Sequence, residues 1–366
     1  MPRDFEHRAS NIERRSLRCY NRLQMTNLAD AKKISQIVNS ATKIVVVQAD
    51  NPDVDSLTSS LALEAILESR GKKVVLYCGI DLPSYLHYLP GWGRVSRDMP
   101  KQFEASIIVD TSSDSLLQQL DKSGAKAWLA AKPSIILDHH TTDATISFAS
   151  VTCNYPAVAT AEIIYELATA LNWQLDKETK ELLAMGILSD SLGLMSQSTT
   201  ARSIHIVGEL VEGGVNLAQL ESLRRETLRR DPELIHYKGR LLQRVEFQAG
   251  GRIAIVAIPW EEIEKYSPSY NPSMLVIDDM RLAKGTDVAI AFKLYKDGKI
   301  TAKIRCNYGF GIADKLAEHF GGGGHPLASG FKITDGRSYE NIKNETVEIA
   351  AKLLNDVELE KADETI

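Results

Sequence analysis

A chain of 366 residues, 44% hydrophobic and 25% charged, is long enough for two domains and has the balance of an ordinary globular protein. Its net charge of −5 argues against broad duplex-DNA binding, though a local groove for short anionic ligands is compatible with it. No apolar run approaches the ~20 residues that span a bilayer, so no membrane partner is expected. The four cysteines, Cys19, Cys78, Cys153 and Cys306, lack C-x-x-C spacing. That disfavours a disulfide framework or a thiolate zinc site and predicts a reducing, cytoplasmic setting.

Residues 1–25 form a polar N-terminal extension in which Arg3, Arg8, Arg14, Arg15 and Arg18 are interspersed with acids. Without an apolar core they do not read as a signal peptide. From 26 to 214 strands alternate with helices. Leu28, Ala31, Ile34 and Ile37 have helical spacing. Lys43-Ile44-Val45-Val46-Val47 is a β-branched run and reads as a strand. It leads into Gln48-Ala49-Asp50-Asn51-Pro52-Asp53-Val54-Asp55. Ser56 then reads as an N-cap, and Leu61, Leu63, Ile66 and Leu67 give the next helix an apolar face. Gly71 closes that helix. Strands are expected at 74–77 and at 106–109, the latter ended by Asp110-Thr111-Ser112-Ser113. Ile135-Ile136-Leu137-Asp138-His139-His140 reads as a buried strand that stops in an acid and two imidazoles, at the sheet edge where open α/β folds place their ligands. Helices follow over 157–171 and 177–188, the second ending in Ser189-Asp190. This alternation predicts an α/β domain, a parallel sheet with helices on both faces.

The stretch 215–237 is long, helical and charged, carries Arg224, Arg225, Arg229 and Arg230, and is interrupted by Pro232; it reads as a helical connector. Residues 238–356 read as a smaller α/β domain on a mixed or antiparallel sheet. Strands at 241–248 and 252–258 pair across Ala249-Gly250-Gly251, and strands at 288–295 and 300–306 pair across Lys296-Asp297-Gly298. A helix over 312–319 runs into Phe320-Gly321-Gly322-Gly323-Gly324-His325-Pro326, a final helix covers 339–354, and 357–366 is an acidic tail.

Asp53, Asp55, Asp110, Asp138, His139, His140 and Asp190 all fall at the ends of expected strands or helices. A single aspartate in such a place is usually a cap or turn former. Several converging on one sheet edge beside paired histidines reverse that reading. Asp53 and Asp55 sit in a proline-fixed turn and can face one crevice. Carboxylates with a neutral imidazole and no thiolate suit Mn²⁺ or Mg²⁺ rather than structural zinc. Two such ions about 3.5–4 Å apart need a bridging carboxylate and suit in-line attack on phosphorus. Four consecutive glycines let backbone N–H groups approach an anion. With His325 next to them and the planar fork of Arg305 at a strand end, anion capture outweighs a plain loop. Tyr308 and Phe310 are candidates to stack a base or to fill the core. His7, His87, His205, His236 and His319 have no motif context and read as structural or surface residues.

Over about 43–331 these motifs resemble the DHH phosphoesterase superfamily with a C-terminal DHHA1 domain, and within it the bifunctional oligoribonuclease and 3′-phosphoadenosine-5′-phosphate phosphatase group. Asn51-Pro52-Asp53-Val54-Asp55-Ser56 resembles the first motif, Val109-Asp110 the second, Asp138-His139-His140 the third and Gly186-Ile187-Leu188-Ser189-Asp190 the fourth. Gly321 to His325 with Ala328-Ser329-Gly330 resembles the DHHA1 glycine motif.

The resemblance implies an N-terminal parallel-sheet DHH domain, a smaller DHHA1 domain, and hydrolysis of short oligonucleotides or 3′-phosphoadenosine 5′-phosphate by a metal-activated water. It implies two manganese ions, with magnesium acceptable. Asp53 would bind the first ion and Asp55 the second, Asp110 would bridge them, and His139 and Asp190 would complete the second. His140 would meet the phosphate and Asp138 would orient a histidine. Arg305, Gly322, Gly323, Gly324 and His325 would hold the substrate, a short single-stranded RNA or a small phosphorylated nucleotide. A homodimer is compatible with this reading. Two positions depart from the family pattern. Its histidine four residues before Asp53 is Ala49 here, and its glycine three residues after Asp55 is Thr58. The first metal site is therefore expected to be weak, with Asp50 as the nearest substitute ligand. A cyclic-dinucleotide phosphodiesterase and a catalytically weakened nucleotide-binding module stand as alternatives.

Overall fold

The computed structural model describes residues 28–140, 143–268 and 270–363, so the polar extension lies outside the described residues. The chain divides into two compact units, Met1–Arg229 and Arg230–Ile366. Among the described residues no helix is long and apolar enough to cross a membrane.

In the first unit, apolar runs become five short strands: β1 (Lys43–Val47), β2 (Lys73–Tyr77), β3 (Ala105–Val109), β4 (Ser134–Asp138) and β5 (Val151–Asn154). They form an all-parallel sheet in the order β2-β1-β3-β4-β5. Every residue of β3 and β4 is buried, as strands covered on both faces require. The helices are α1 (Leu28–Ser40), α2 (Val54–Glu68), α3 (Gln118–Ser123), α4 (Lys126–Ala130), α5 (Thr160–Ala170), α6 (Lys177–Asp190), α7 (Ala201–Glu212) and α8 (Leu217–Leu228). Alternation along the strands divides the core. Ile44, Val46, Ile107, Val109, Ile135 and Leu137 pack with α2, α5 and α6 on one face. Val45, Val47, Ile108 and Ile136 meet Leu120 and Leu129 of α3 and α4 on the other. In this strand order the connections diverge between β1 and β3, and a crevice opens at their carboxyl ends. That is where the chain places Asp53–Asp55 and Asp110.

Helix α2 starts three residues earlier than its sequence suggests. Asp53, not Ser56, is the N-cap: its side chain accepts the Ser56 N–H at 2.9 Å, and the Ser56 hydroxyl accepts the Asp53 N–H at 2.9 Å, a reciprocal capping box. At Gly186, α6 packs tightly against side chains of α2. A Cβ there would lie 2.7 Å from Asp55 Oδ1 and 2.8 Å from Thr58 Oγ1.

The second unit holds β6 (Glu246–Gln248), β7 (Ile253–Ile258), β8 (Val288–Leu294), β9 (Ile300–Cys306), β10 (Gly323–His325) and β11 (Ala328–Ile333), in the order β10-β11-β9-β8-β7-β6. Only the β7–β8 pair is parallel, so the sheet is mixed. Its helices are α9 (Pro232–Gln243), α10 (Trp260–Tyr266), α11 (Pro272–Arg281), α12 (Ala313–His319) and α13 (Tyr339–Asp363). Ile253, Ile255, Ile290 and Phe292 form a core with α12 and α13, and Ala254, Val256, Ala289 and Ala291 form another with α9 to α11.

Several expectations change here. Residues 241–243, read as strand, complete α9, because Leu234, Tyr237 and Leu241 at helical spacing are all buried in one cluster. The stretch 215–237 is helical, as expected. It comprises α8 and the first half of α9, one in each unit. The break comes where Asp231 caps α9 and Pro232 takes its first position. Helix α13 continues to Asp363 instead of ending at 354, and Val357 still packs on the core.

Candidate metal centre

Four strand and helix termini converge on one group of side chains. Asp55, the second residue of α2, is fully buried. Its Oδ2 accepts the Thr160 N–H at 2.6 Å, and its Oδ1 accepts the Ala161 N–H at 3.1 Å and the Ser59 hydroxyl at 3.3 Å. It is the anion at the N-terminus of α5, where backbone N–H groups are otherwise unpaired. Asp110 ends β3 in the left-handed region, φ +60°, a conformation aspartate tolerates better than most residues. Its Oδ1 accepts the Thr160 hydroxyl at 3.0 Å. Asp138 ends β4 and is fully buried. Its Oδ1 accepts both His140 Nδ1 at 2.8 Å and the His140 backbone N–H at 3.2 Å. Asp190 is the last residue of α6.

His139 joins the two halves of the centre. Its Nδ1 lies 3.2 Å from the Ala157 carbonyl, which can only accept, so Nδ1 carries a proton and faces away from the acids. That Nε2 is buried without a hydrogen-bond partner, 3.4 Å from Asp110 Oδ1 and 3.5 Å from Asp190 Oδ2. Two groups could each hold a metal ion, with their own donor atoms all within 4.8 Å of one another: Asp55–His139–Asp190 and Asp110–His139–His140, and His139 belongs to both.

The electrostatics of the protein alone are unfavourable. Burial, then repulsion from Asp55 and Asp53, holds the Asp110 carboxyl well above the usual range. Burial also raises Asp55, against the pull of His139 and the two N–H donors. Asp190 is pushed up to about 8 by burial and then by Asp55, Asp53 and Asp110. Burial would raise Asp138 as well, but the hydrogen bonds from His140 outweigh it and its pKa falls; the same bond raises His140. Clustered carboxylates around a buried imidazole nitrogen with no hydrogen-bond partner are a donor set that fits a hard or borderline divalent cation.

The structure brings Asp55, Asp110, His139, His140 and Asp190 together and sets Asp138 behind His140. Asp53 is close enough for its charge to raise Asp55, Asp110 and Asp190, but it belongs to neither set and its Oδ1 is engaged as the α2 cap. Ala49 is buried and offers no ligand. The side chain of Asp50 serves another purpose: its Oδ2 accepts the Gln119 N–H at 2.9 Å, at the start of α3. Gln48, fully buried, has neither amide atom hydrogen-bonded.

In the second unit, Arg305, Gly322 and Gly323 line a groove of about 680 Å³ together with Lys303 and Lys332. Gly324 and His325 do not line it; they belong to the exposed strand β10. The glycine run is thus not an open anion loop. A Cβ at Gly322 would stand 2.3 Å from the Gly330 carbonyl oxygen, and Gly324, at φ +146°, faces Ser329, where a Cβ would meet Oγ at 2.6 Å. Close strand approach requires these glycines. Sequence reading missed Thr160 and Ala157, which carry no motif signal, and the groove lysines Lys303 and Lys332, which the alternation of β9 and β11 puts on the face of Arg305.

Residues 43–187 match the DHH family, N-terminal domain. The chain is 26% identical over 283 residues to the bifunctional oligoribonuclease and PAP phosphatase NrnA of Thermus thermophilus, covering 76% of this chain and 81% of that protein. It is 25% identical over 297 residues to the protein of the same name from Bacillus subtilis, covering 79% and 89%. Among solved structures, an exopolyphosphatase-related protein from Bacteroides fragilis has the same fold, with a TM-score of 0.72 at 21% identity over 90% of this chain and 98% of that one.

Proposed function

We propose, from the match of residues 43–187 to the DHH family and the similarity to the NrnA proteins, that this chain is a DHH-type metal-dependent phosphoesterase acting on short oligonucleotides, on 3′-phosphoadenosine 5′-phosphate, or on both. The observation that carries this is His139 Nε2, buried without a hydrogen-bond partner and 3.4 Å and 3.5 Å from Asp110 and Asp190. In this reading 26–214 is the metal-binding domain and 238–356 the substrate domain. Asp55, Asp190 and His139 would hold one divalent ion, and Asp110 with Asp53 would serve a second; manganese is the ion we propose. Bound ions of this kind polarise phosphoryl oxygens and lower the pKa of a water to within reach of neutral pH.

The chain's own residues do the rest. Ala157 fixes the His139 tautomer. Asp138 holds the proton on His140 Nδ1 and raises the pKa of its half-exposed ring, which leaves Nε2–H to donate to a phosphate oxygen as negative charge develops. In the second unit Arg305, Lys303 and Lys332 line one groove and present cations suited to an anionic ligand. The free, buried Cys78, Cys153 and Cys306 support a reducing cytoplasm.

The test is product release from a panel of di- to pentanucleotide RNAs, 3′-phosphoadenosine 5′-phosphate and cyclic dinucleotides, with manganese, magnesium or EDTA. Manganese-dependent mononucleotide or phosphate release is expected. One observation favours a second reading: with Ala49 buried and Asp50 committed to α3, the first metal site is short of a ligand. Nucleotide binding without turnover of any substrate at saturating manganese would establish that reading, a nucleotide-binding module, in place of the enzyme.

A further inference from the structure

We propose that Thr160 is a positioning residue that sets Asp55 against Asp110 and thereby tunes the affinity of the centre for divalent ions, an inference that rests on reading these two carboxylates as metal ligands. Thr160 is the first residue of α5 and is fully buried. It touches both acids, through different atoms. Its backbone N–H donates to Asp55 Oδ2 at 2.6 Å, and its hydroxyl donates to Asp110 Oδ1 at 3.0 Å. The two acids come from different segments, one from the first turn of α2 and one from the end of β3. Thr160 is hydrogen-bonded to both.

The local sequence explains why the contact exists. The N-cap position of α5 is Ala159, which has no side-chain cap to offer, so the first N–H groups of the helix need an acceptor from elsewhere. Asp55 supplies it, bonding Thr160 N and Ala161 N with its two oxygens. The Thr160 hydroxyl is therefore not spent on its own helix. It turns to Asp110, whose backbone is held at φ +60°. A neutral hydroxyl suits this task. It takes one lone pair of Asp110 Oδ1 and leaves the carboxylate its charge and its other lone pairs for a cation. A lysine or arginine in its place would compete with the metal for the same charge.

A purely packing role for Thr160 makes a different prediction from a positioning role. Thr160→Val keeps the side-chain shape and the backbone N–H to Asp55 but loses the donor to Asp110. Thr160→Ser keeps the donor and loses a methyl. Manganese binding is measured without substrate, by calorimetry or by the free-ion electron paramagnetic resonance signal, on the full chain stripped of metal. Loss of an outer-shell partner of a ligand typically costs about 10–100-fold in metal affinity, and that is the drop expected for valine, with serine within about threefold of the parent. The manganese concentration for half-maximal hydrolysis should rise in step for valine. Thr160→Ala, which lacks the hydroxyl and fits in less space, serves as the second donor-free variant if valine does not fold. Parent-like manganese affinity in a folded donor-free variant overturns the role of Thr160 while leaving the metal centre standing. A parent that binds no manganese overturns the metal reading itself, and this inference with it.

Discussion

Asp190 terminates α6 with burial and three neighbouring carboxylates, Asp55, Asp53 and Asp110, pushing its pKa from 3.8 up to about 8. The folded, metal-free protein therefore keeps a proton on this group at pH values where the unfolded chain has lost it. Between the two pKa values the folded state binds more protons, so this group makes stability fall as pH rises from about 4 to about 8. Integrating from 3.8 only as far as pH 7, about 3 units at about 1.4 kcal/mol per unit, gives about 4 kcal/mol of lost stability at pH 7. The neighbouring acids share the repulsion, so Asp190→Asn, which keeps the shape and removes the charge, is expected to return about 2 kcal/mol or more. The measurement is urea unfolding in EDTA at pH 5, 7 and 8.5. The variant should be more stable than the parent at pH 7 and 8.5, by less at pH 5, and the parent should show the steeper loss with pH. Manganese should reverse the order, because the parent gains more from binding. If Asp190→Asn is less stable than the parent in EDTA at pH 7, repulsion does not dominate at the end of α6 and the metal assignment loses its electrostatic support.

Three further outcomes follow from named contacts. Ala49→His should restore an imidazole to the first motif and lower the manganese concentration for half-maximal rate, with the gain fading as pH falls through about 6.5; titrating activity against manganese at pH 6 and pH 8 checks it, and no change at either pH would mean that position 49 does not face the ion. Asp138→Asn removes the charge that holds the His140 proton, so the raised His140 pKa should drop and the alkaline limb of the kcat profile should move to lower pH, while an unmoved limb would exclude His140 as the proton carrier. Gly186→Ala puts a Cβ 2.7 Å from Asp55 Oδ1 and should cost about 1–3 kcal/mol of stability with a loss of metal affinity, read by urea unfolding with and without manganese; a neutral result would mean that α2 and α6 separate freely.

Much of the first unit is legible in one dimension. β-branched runs such as Lys43–Val47 and Ser134–Asp138 can bury both faces only as central strands, and an aspartate that interrupts such a run marks its carboxyl end. Residue type and spacing thus place Asp110, Asp138, His139, His140 and Asp190 at element termini before any coordinates are known. Pairings across the chain are a different matter. No local pattern shows that Asp55 caps α5, that Thr160 bonds both Asp55 and Asp110, or that His139 belongs to two ligand sets, because those distances depend on strand order and on how closely α2 approaches α6 at Gly186. The glycine run makes the same point. Glycine is compatible with a flexible anion loop and with a tightly apposed strand alike, and only the Gly330 carbonyl and Ser329 of β11, brought alongside by the sheet, decide for the strand. Periodicity reports what each residue does relative to its own element, whereas ligand geometry is set between elements, and so it was left to the tertiary structure.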